Sequence, residues 1–223
     1  MDTTMLDQLY VDMHDGTIRN ISPTVLVGQL RLPDFTEAQH TELVDKVLEE
    51  NTLFDPGDVL STKVPPSEDL AAILANGAVE FGIEDVPSHF GARLLACLGS
   101  WFHHDTAQDE YRRAAFSVLW LEDESPWDLL FPLTGHRVPL TKGTHVLFDS
   151  CNIHGVVKRG TDRFVEADFY SAGFQMFFST EHQYASPILR KVMGVDYLPA
   201  ASLQDQRSIQ SVRLDSRTGK VTL

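Results

Sequence analysis

The chain is short of positive charge, of cysteine and of long apolar runs, and each shortage excludes something. Eighteen Lys and Arg stand against 32 Asp and Glu, giving a net charge of -14 over 223 residues. A surface this acidic repels phosphate backbones and anionic lipid, which argues against nucleic-acid and membrane partners but not against a local basic pocket for one small anion. The two cysteines, Cys97 and Cys151, lie in the apolar contexts LLACLG and FDSCNI. They read as buried thiols in a reducing compartment, and nothing in their spacing demands a disulfide. No stretch approaches the ~20 apolar residues of a membrane span. The first residues, MDTTMLDQLYVDMHDG, are acidic and carry no signal-peptide pattern, so the expected location is the cytoplasm. There is no repeat of fixed period and no low-complexity tract.

What is present is an ordinary globular composition, 43% hydrophobic and 22% charged, in a length that suits one domain. Three stretches differ in texture: 1–91 as a helical and strand layer, 92–180 as a β core, and 181–223 as a C-terminal helix and hairpin. Residues 24–32, TVLVGQLRL, alternate as a strand does. PDFTEAQHTELVDKVLEEN then reads as a helix. Thr36 and Gln39 are spaced as a capping box, Leu43, Val44, Val47 and Leu48 form one stripe, and Asn51 with FDPGD ends it. A second helix is predicted over 67–76, with Ser67 as N-cap and Gly77 just past its end. Both helices are expected to cover one face of a sheet.

From about residue 92, short apolar runs recur: ARLLACLGSWF, AAFSVLWL, WDLLFP, HRVPL, THVLFD, IHGVV, RFVEADFY and GFQMFF. Aromatic and branched runs of this length, separated by polar turns, point to a double-sheet jelly roll, mainly β with α. After it, SPILRKVMG reads as a helix with Ser186 as N-cap and Pro187 in its first turn, and the tail SIQSVRL-DSRTGK-VTL reads as a hairpin. The oligomeric state stays open, the C-terminal helix and hairpin being available for a dimer interface.

Candidate chemistry starts at WFHHDTAQDE. His103 and Asp105 lie two apart, so in an extended segment an imidazole and a carboxylate project from the same face. About fifty residues on, KGTHVLFDSCNIHGVVKRGTDRFVEADF carries His154 at the start of an apolar run and Arg163 nine residues later. Two histidines and a carboxylate on adjacent strands can form a facial triad that leaves metal positions open, as non-haem iron(II) oxygenases require. A guanidinium deeper in the pocket suits a carboxylate, because its planar fork matches two oxygens. The triad alone also fits a zinc ion activating water, or iron without an oxo-acid. A jelly-roll binding module whose His and Asp are incidental is the non-catalytic alternative.

The region from about 92 to 172 resembles the double-stranded β-helix core of the 2-oxoglutarate and iron(II) dioxygenases, above all the prolyl-hydroxylase-like branch. The resemblance rests on His-x-Asp, the strand RRAAFSVLWL, the strand GTHVLF, a distal histidine and a basic residue about ten positions on. It implies that His103, Asp105 and His154 hold iron(II) and that Arg163 pairs with the remote carboxylate of 2-oxoglutarate. It further implies that O2 is consumed with release of succinate and carbon dioxide and that a C–H bond is hydroxylated, with ascorbate as the supporting reductant. The substrate class is expected from the chain itself: its shortness, with no extra recognition domain, favours a small molecule such as an amino acid or natural-product intermediate over a folded protein. Asp105 argues against halogenation, since related halogenases lose that carboxylate. Val165 stands where relatives often carry a hydroxyl residue beside the arginine, and ESPWDLLFP replaces a Gly-Gly stretch.

Other polar and aromatic residues have plainer expectations. His104 faces away from the triad. His136 and His145 are surface or hydrogen-bonded histidines, and Lys158 and Arg159 occupy a hairpin turn. Arg93 and Arg113, at strand starts near the pocket mouth, are candidates for an acidic substrate group. Trp101 and Trp120 read as core, and Trp127, beside Pro126, as a residue lining the mouth.

Overall fold

The apolar runs are continuous, not alternating, because the largest sheet they build is covered on both faces. A computed structural model describes residues 3–34, 37–49, 55–62, 68–84, 93–106, 111–123, 125–170, 173–202 and 207–222. In chain order the first strands are β1 (Leu9–Asp12), β2 (Thr17–Asn20), β3 (Val25–Gln29), β4 (Val59–Thr62), β5 (Arg93–Cys97), β6 (Ser100–His103), β7 (Ala114–Trp120) and β8 (Trp127–Phe131). They are followed by β9 (His136–Pro139), β10 (Thr144–Asp149), β11 (His154–Lys158), β12 (Gln175–Gln183), β13 (Tyr197–Pro199), β14 (Arg207–Ser208), β15 (Arg213–Leu214) and β16 (Val221–Thr222). The helices are α1 (Glu37–Glu49), α2 (Glu68–Glu80) and α3 (Pro187–Met193).

Two sheets face each other as the jelly roll requires. The larger has the order β3-β10-β7-β12-β5-β4, and the smaller β6-β11-β8-β9. The pairings within both are antiparallel. Consecutive strands mostly alternate between the sheets, which makes the core a double-stranded β-helix. Strands β3 and β4 come from the first 91 residues, so that stretch completes the larger sheet as well as covering it.

Alternation sorts each strand of the larger sheet into an inner and an outer set. Phe116, Val118 and Trp120 of β7 point between the sheets, while Leu119 and Ala115 point outward. The outward residues Leu94, Ala96, Leu119, Met176 and Phe178 pack under Leu43, Val44 and Val47 of α1. Covering a side chain such as Phe178 contributes roughly 1.5–3 kcal/mol.

α2 runs on through Gly77 to Glu80, past the predicted stop. Gly77 lies against the buried His145 ring, where a Cβ would come 2.6 Å from Cε1. The glycine therefore permits a close helix–sheet approach and does not end the helix. Thr36, Asn51 and Ser67, the expected caps and stop, lie outside the described residues.

α3 begins as its sequence implied: Ser186 accepts from Leu189 N–H at 3.0 Å, and Gly194 closes the helix at φ 65°. The tail forms the β15–β16 hairpin. Its turn docks on the small sheet, where the Ser216 carbonyl accepts from Phe102 N–H at 2.8 Å. A third sheet, β13-β2-β1-β14, joins the N-terminal hairpin to C-terminal strands. No helix among the described residues is long and apolar enough to cross a membrane.

Candidate metal centre

His103 ends β6 and His154 begins β11, and the two residues are direct antiparallel partners. Between this pair and the next, Val156 with Ser100, the register slips by one residue. A bulge of this kind re-aims side chains. Ser100 and His103 are three apart and would face opposite sides of a regular strand, yet both line the same cavity. Opposite the slip, Gly155 leaves room for Phe102, whose Cδ1 would lie 2.9 Å from an added Cβ.

Asp105 follows directly after β6, and its N–H donates to the Ser150 carbonyl at 3.0 Å. One oxygen lies 3.7 Å from His103 Nε2 and the other 3.6 Å from His154 Nε2. One donor atom from each of the three residues lies within 4.8 Å of the others.

The tautomers follow from the partners. His103 Nδ1 meets the Trp101 carbonyl at 2.7 Å, and His154 Nδ1 meets the Asn152 carbonyl at 2.8 Å. A carbonyl can only accept, so each Nδ1 carries a proton and Nε2 is the atom each ring turns to the centre. Burial, with His103 close by, holds His154 well below the ordinary imidazole range, against the opposing pull of the Asn152 carbonyl. Burial also raises Asp105, partly offset by His103. Two imidazoles and a carboxylate with converging donor atoms are a set that could hold a divalent metal. The residues present fit the metal.

The triad lies at one part of a cavity of about 240 Å³ between the sheets. Phe116, Val118, Trp120, Phe148 and Phe177 supply apolar wall, and β12 adds Ser179 and Glu181. Among the described residues lining it, Arg93 is the one cation, and its guanidinium has no hydrogen-bond or ion-pair partner among them.

The other sequence expectations separate. Arg163, expected at the oxo-acid, is exposed and does not line the cavity, so the structure does not bring it together with the triad. After β11 the chain turns at Gly160, makes a short 3-10 turn at Glu166–Asp168 and reaches β12 only at Gln175, so Arg163 sits on an outer excursion. Arg113 is also exposed and outside the cavity. Trp127 is core and not mouth: it is 3% exposed and stacks on Phe169 at 4.2 Å. His104 is half-buried and pairs with Thr106. His145 is fully buried and bonded to Ser117, and His136 is exposed. Lys158 is the last residue of β11, paired with Trp127, and Arg159 opens the turn after it, where it reaches the buried Asp128 at 3.1 Å. Ser179 and Glu181 were missed, although their spacing two and four past Phe177 marks them as sharing its face.

No family model and no curated protein matches the sequence. Solved structures align with it only at low identity. A viral collagen prolyl hydroxylase from Paramecium Bursaria Chlorella virus-1, solved with 2OG, is 11% identical over 71% of this chain and 94% of its own, at a TM-score of 0.44. SnoK, an alpha-ketoglutarate-dependent carbocyclase from nogalamycin biosynthesis, is 12% identical over 81% and 82%, also at 0.44. AviO1 from Streptomyces viridochromogenes is 16% identical over 83% and 96%, at 0.41. Each of these scores is below 0.5, and none bears on the chemistry; the side chains do.

Proposed function

We propose that this chain is one oxygenase domain that uses iron(II), 2-oxoglutarate and O2 to hydroxylate a C–H bond of a small molecule. The observation that carries the proposal is the convergence of two proton-fixed imidazoles and one carboxylate on a cavity whose remaining wall is mostly apolar. His103, Asp105 and His154 would hold the metal on one face and leave its other positions to ligands. Bound there with the oxo-acid, iron(II) would supply oxygen activation coupled to oxidative decarboxylation, with succinate and carbon dioxide as products.

The chain's own residues do the rest. The Trp101 and Asn152 carbonyls hold the two imidazole rings in the orientation that offers Nε2. Phe116, Phe148 and Phe177 exclude water. Arg93 takes the place expected of Arg163: it is the cavity's guanidinium and is free to fork onto the remote carboxylate of the oxo-acid. A cavity of about 240 Å³ supports a substrate of metabolite size. Asp105 supports hydroxylation over halogenation.

The deciding experiment is a succinate-release assay with iron(II), ascorbate, 2-oxoglutarate and a panel of small-molecule substrates, with His154→Ala as control. Succinate formed by the wild type and lost in the variant supports the reading. Iron binding without any response to 2-oxoglutarate would favour a metal enzyme that uses no oxo-acid. No metal binding at all would return the fold to a binding module.

A further inference from the structure

We infer that the buried Arg19–Asp149 pair is a positioning device that sets two of the three metal ligands from behind. The inference rests on reading the triad as a metal centre. Both residues are wholly buried, and the pair is bidentate: Arg19 Nη1 donates to Asp149 Oδ2 at 2.7 Å and Nη2 to Oδ1 at 2.8 Å. The same carboxylate accepts from Ser22 N–H at 2.8 Å and from Cys151 N–H at 3.0 Å. The guanidinium also donates to the carbonyls of Asn20 and Arg112, meets Cys151 Sγ at 3.2 Å, and lies 5.0 Å from the centre of the Tyr184 ring.

This pair fixes the turn from Asp149 to Asn152, which joins β10 to β11. Two ligands hang from that turn by their own hydrogen bonds. The Ser150 carbonyl accepts the Asp105 N–H, and the Asn152 carbonyl accepts the His154 Nδ1 proton. Moving the turn therefore moves a carboxylate and an imidazole together. His103 is held separately, by Trp101 within its own strand.

A buried ion pair is a poor source of net stability, because desolvation cancels much of the attraction. What it supplies is direction. Its two parallel bonds have one geometry, and metal ligands must be held to within about half an ångström to bind well. Neither residue touches the cavity, so their role is positioning and not catalytic.

The test uses Co(II) as the probe on the purified full chain, read by titration and by the visible Co(II) spectrum. Arg19→Lys keeps the charge but loses the fork, and Asp149→Asn keeps the shape but loses the charge. Leu119→Ala, in the outer core away from the site, serves as a destabilised control. The expected result is at least a tenfold weaker Co(II) affinity and an altered spectrum in both pair variants. Leu119→Ala, with a matched loss of thermal stability, should stay within twofold of the wild type. Unchanged affinity and spectrum in folded Arg19→Lys and Asp149→Asn would overturn the inference while leaving the metal site intact. A wild type that binds no Co(II) would sink both. If either variant fails to fold, Asp149→Glu, which displaces the carboxylate by one methylene, gives the same readout. Loss of the folded state in all three would make the pair a general fold element and refute the specific role.

Discussion

His103 and His154 face each other across β6 and β11 with ring centroids 4.4 Å apart, and each gives its Nδ1 proton to the carbonyl two residues before it. The bond is the same in both strands, and it turns both Nε2 atoms to the centre before any metal arrives. Substituting either ring should therefore remove a ligand without undoing the strand pairing, which is made by the backbone. His154→Ala and Asp105→Ala are each expected to weaken Co(II) binding by at least a hundredfold while the far-ultraviolet circular dichroism stays that of the wild type. Titration of both variants beside the wild type checks this.

Arg93 and Arg163 make opposite predictions. Charge-assisted hydrogen bonds are worth about 1.5–3 kcal/mol each. Arg93→Met should accordingly raise the KM for 2-oxoglutarate by at least tenfold, whereas Arg163→Met should leave it within twofold, since that side chain is exposed and outside the cavity. Steady-state succinate assays on the two variants decide between the positions. A KM that responds to Arg163 and not to Arg93 would reverse the assignment.

Two buried histidines on the outer face of the large sheet set an acid limit on stability. Burial lowers His145 to about 4, with a contribution from His182, and burial lowers His182 to about 4 as well. Their Nδ1 atoms have no hydrogen-bond partner among the described residues. In the unfolded chain an imidazole binds its proton near pH 6.5, while in the folded chain these two resist it until about 4. The unfolded state thus takes up protons first, and stability falls as pH drops from 6.5 towards 4. Each histidine costs about 3 kcal/mol at the low end of that window. Urea midpoints measured between pH 7.5 and 4.5 should fall more steeply in the wild type than in His182→Gln.

Gly77 sits inside α2, where alanine is ordinarily better by about 1 kcal/mol. Here the sign should reverse. The added methyl would stand 2.6 Å from His145 Cε1 and 2.9 Å from Leu30 Cδ1, and His145 is itself stacked on Phe81 at 4.9 Å. Overpacking of this kind costs typically about 1–3 kcal/mol. Gly77→Ala is expected to lower the urea midpoint, and a raised midpoint would show that α2 can lift off the sheet freely.

The parts of this molecule legible in the sequence are those set by short spacing. His-x-Asp, the apolar runs of the two sheets, the Ser186 cap and the terminal hairpin depend on neighbours a few residues away. The sequence reading puts Arg163 at the start of a strand directly after β11, whereas the chain makes an excursion there and the next strand begins at Gln175. Gly77 was read as a stop because glycine commonly follows helices; what decided its place was His145 in a distant strand. Arg19 and Asp149 left no local sign at all. They are 130 residues apart, and each alone looks like a surface charge beside an apolar run.

That separation also orders events during synthesis. Arg19 leaves the ribosome 130 residues ahead of Asp149, and the strands that flank the first hairpin, β13 and β14, emerge later still. Contacts this distant along the chain form slowly. The nascent polypeptide is thus expected to carry an incomplete cradle through most of translation, and metal uptake to wait until release. A stalled chain whose three ligands have all left the ribosome but whose β13 and β14 have not should retain no cobalt, whereas the freed product should.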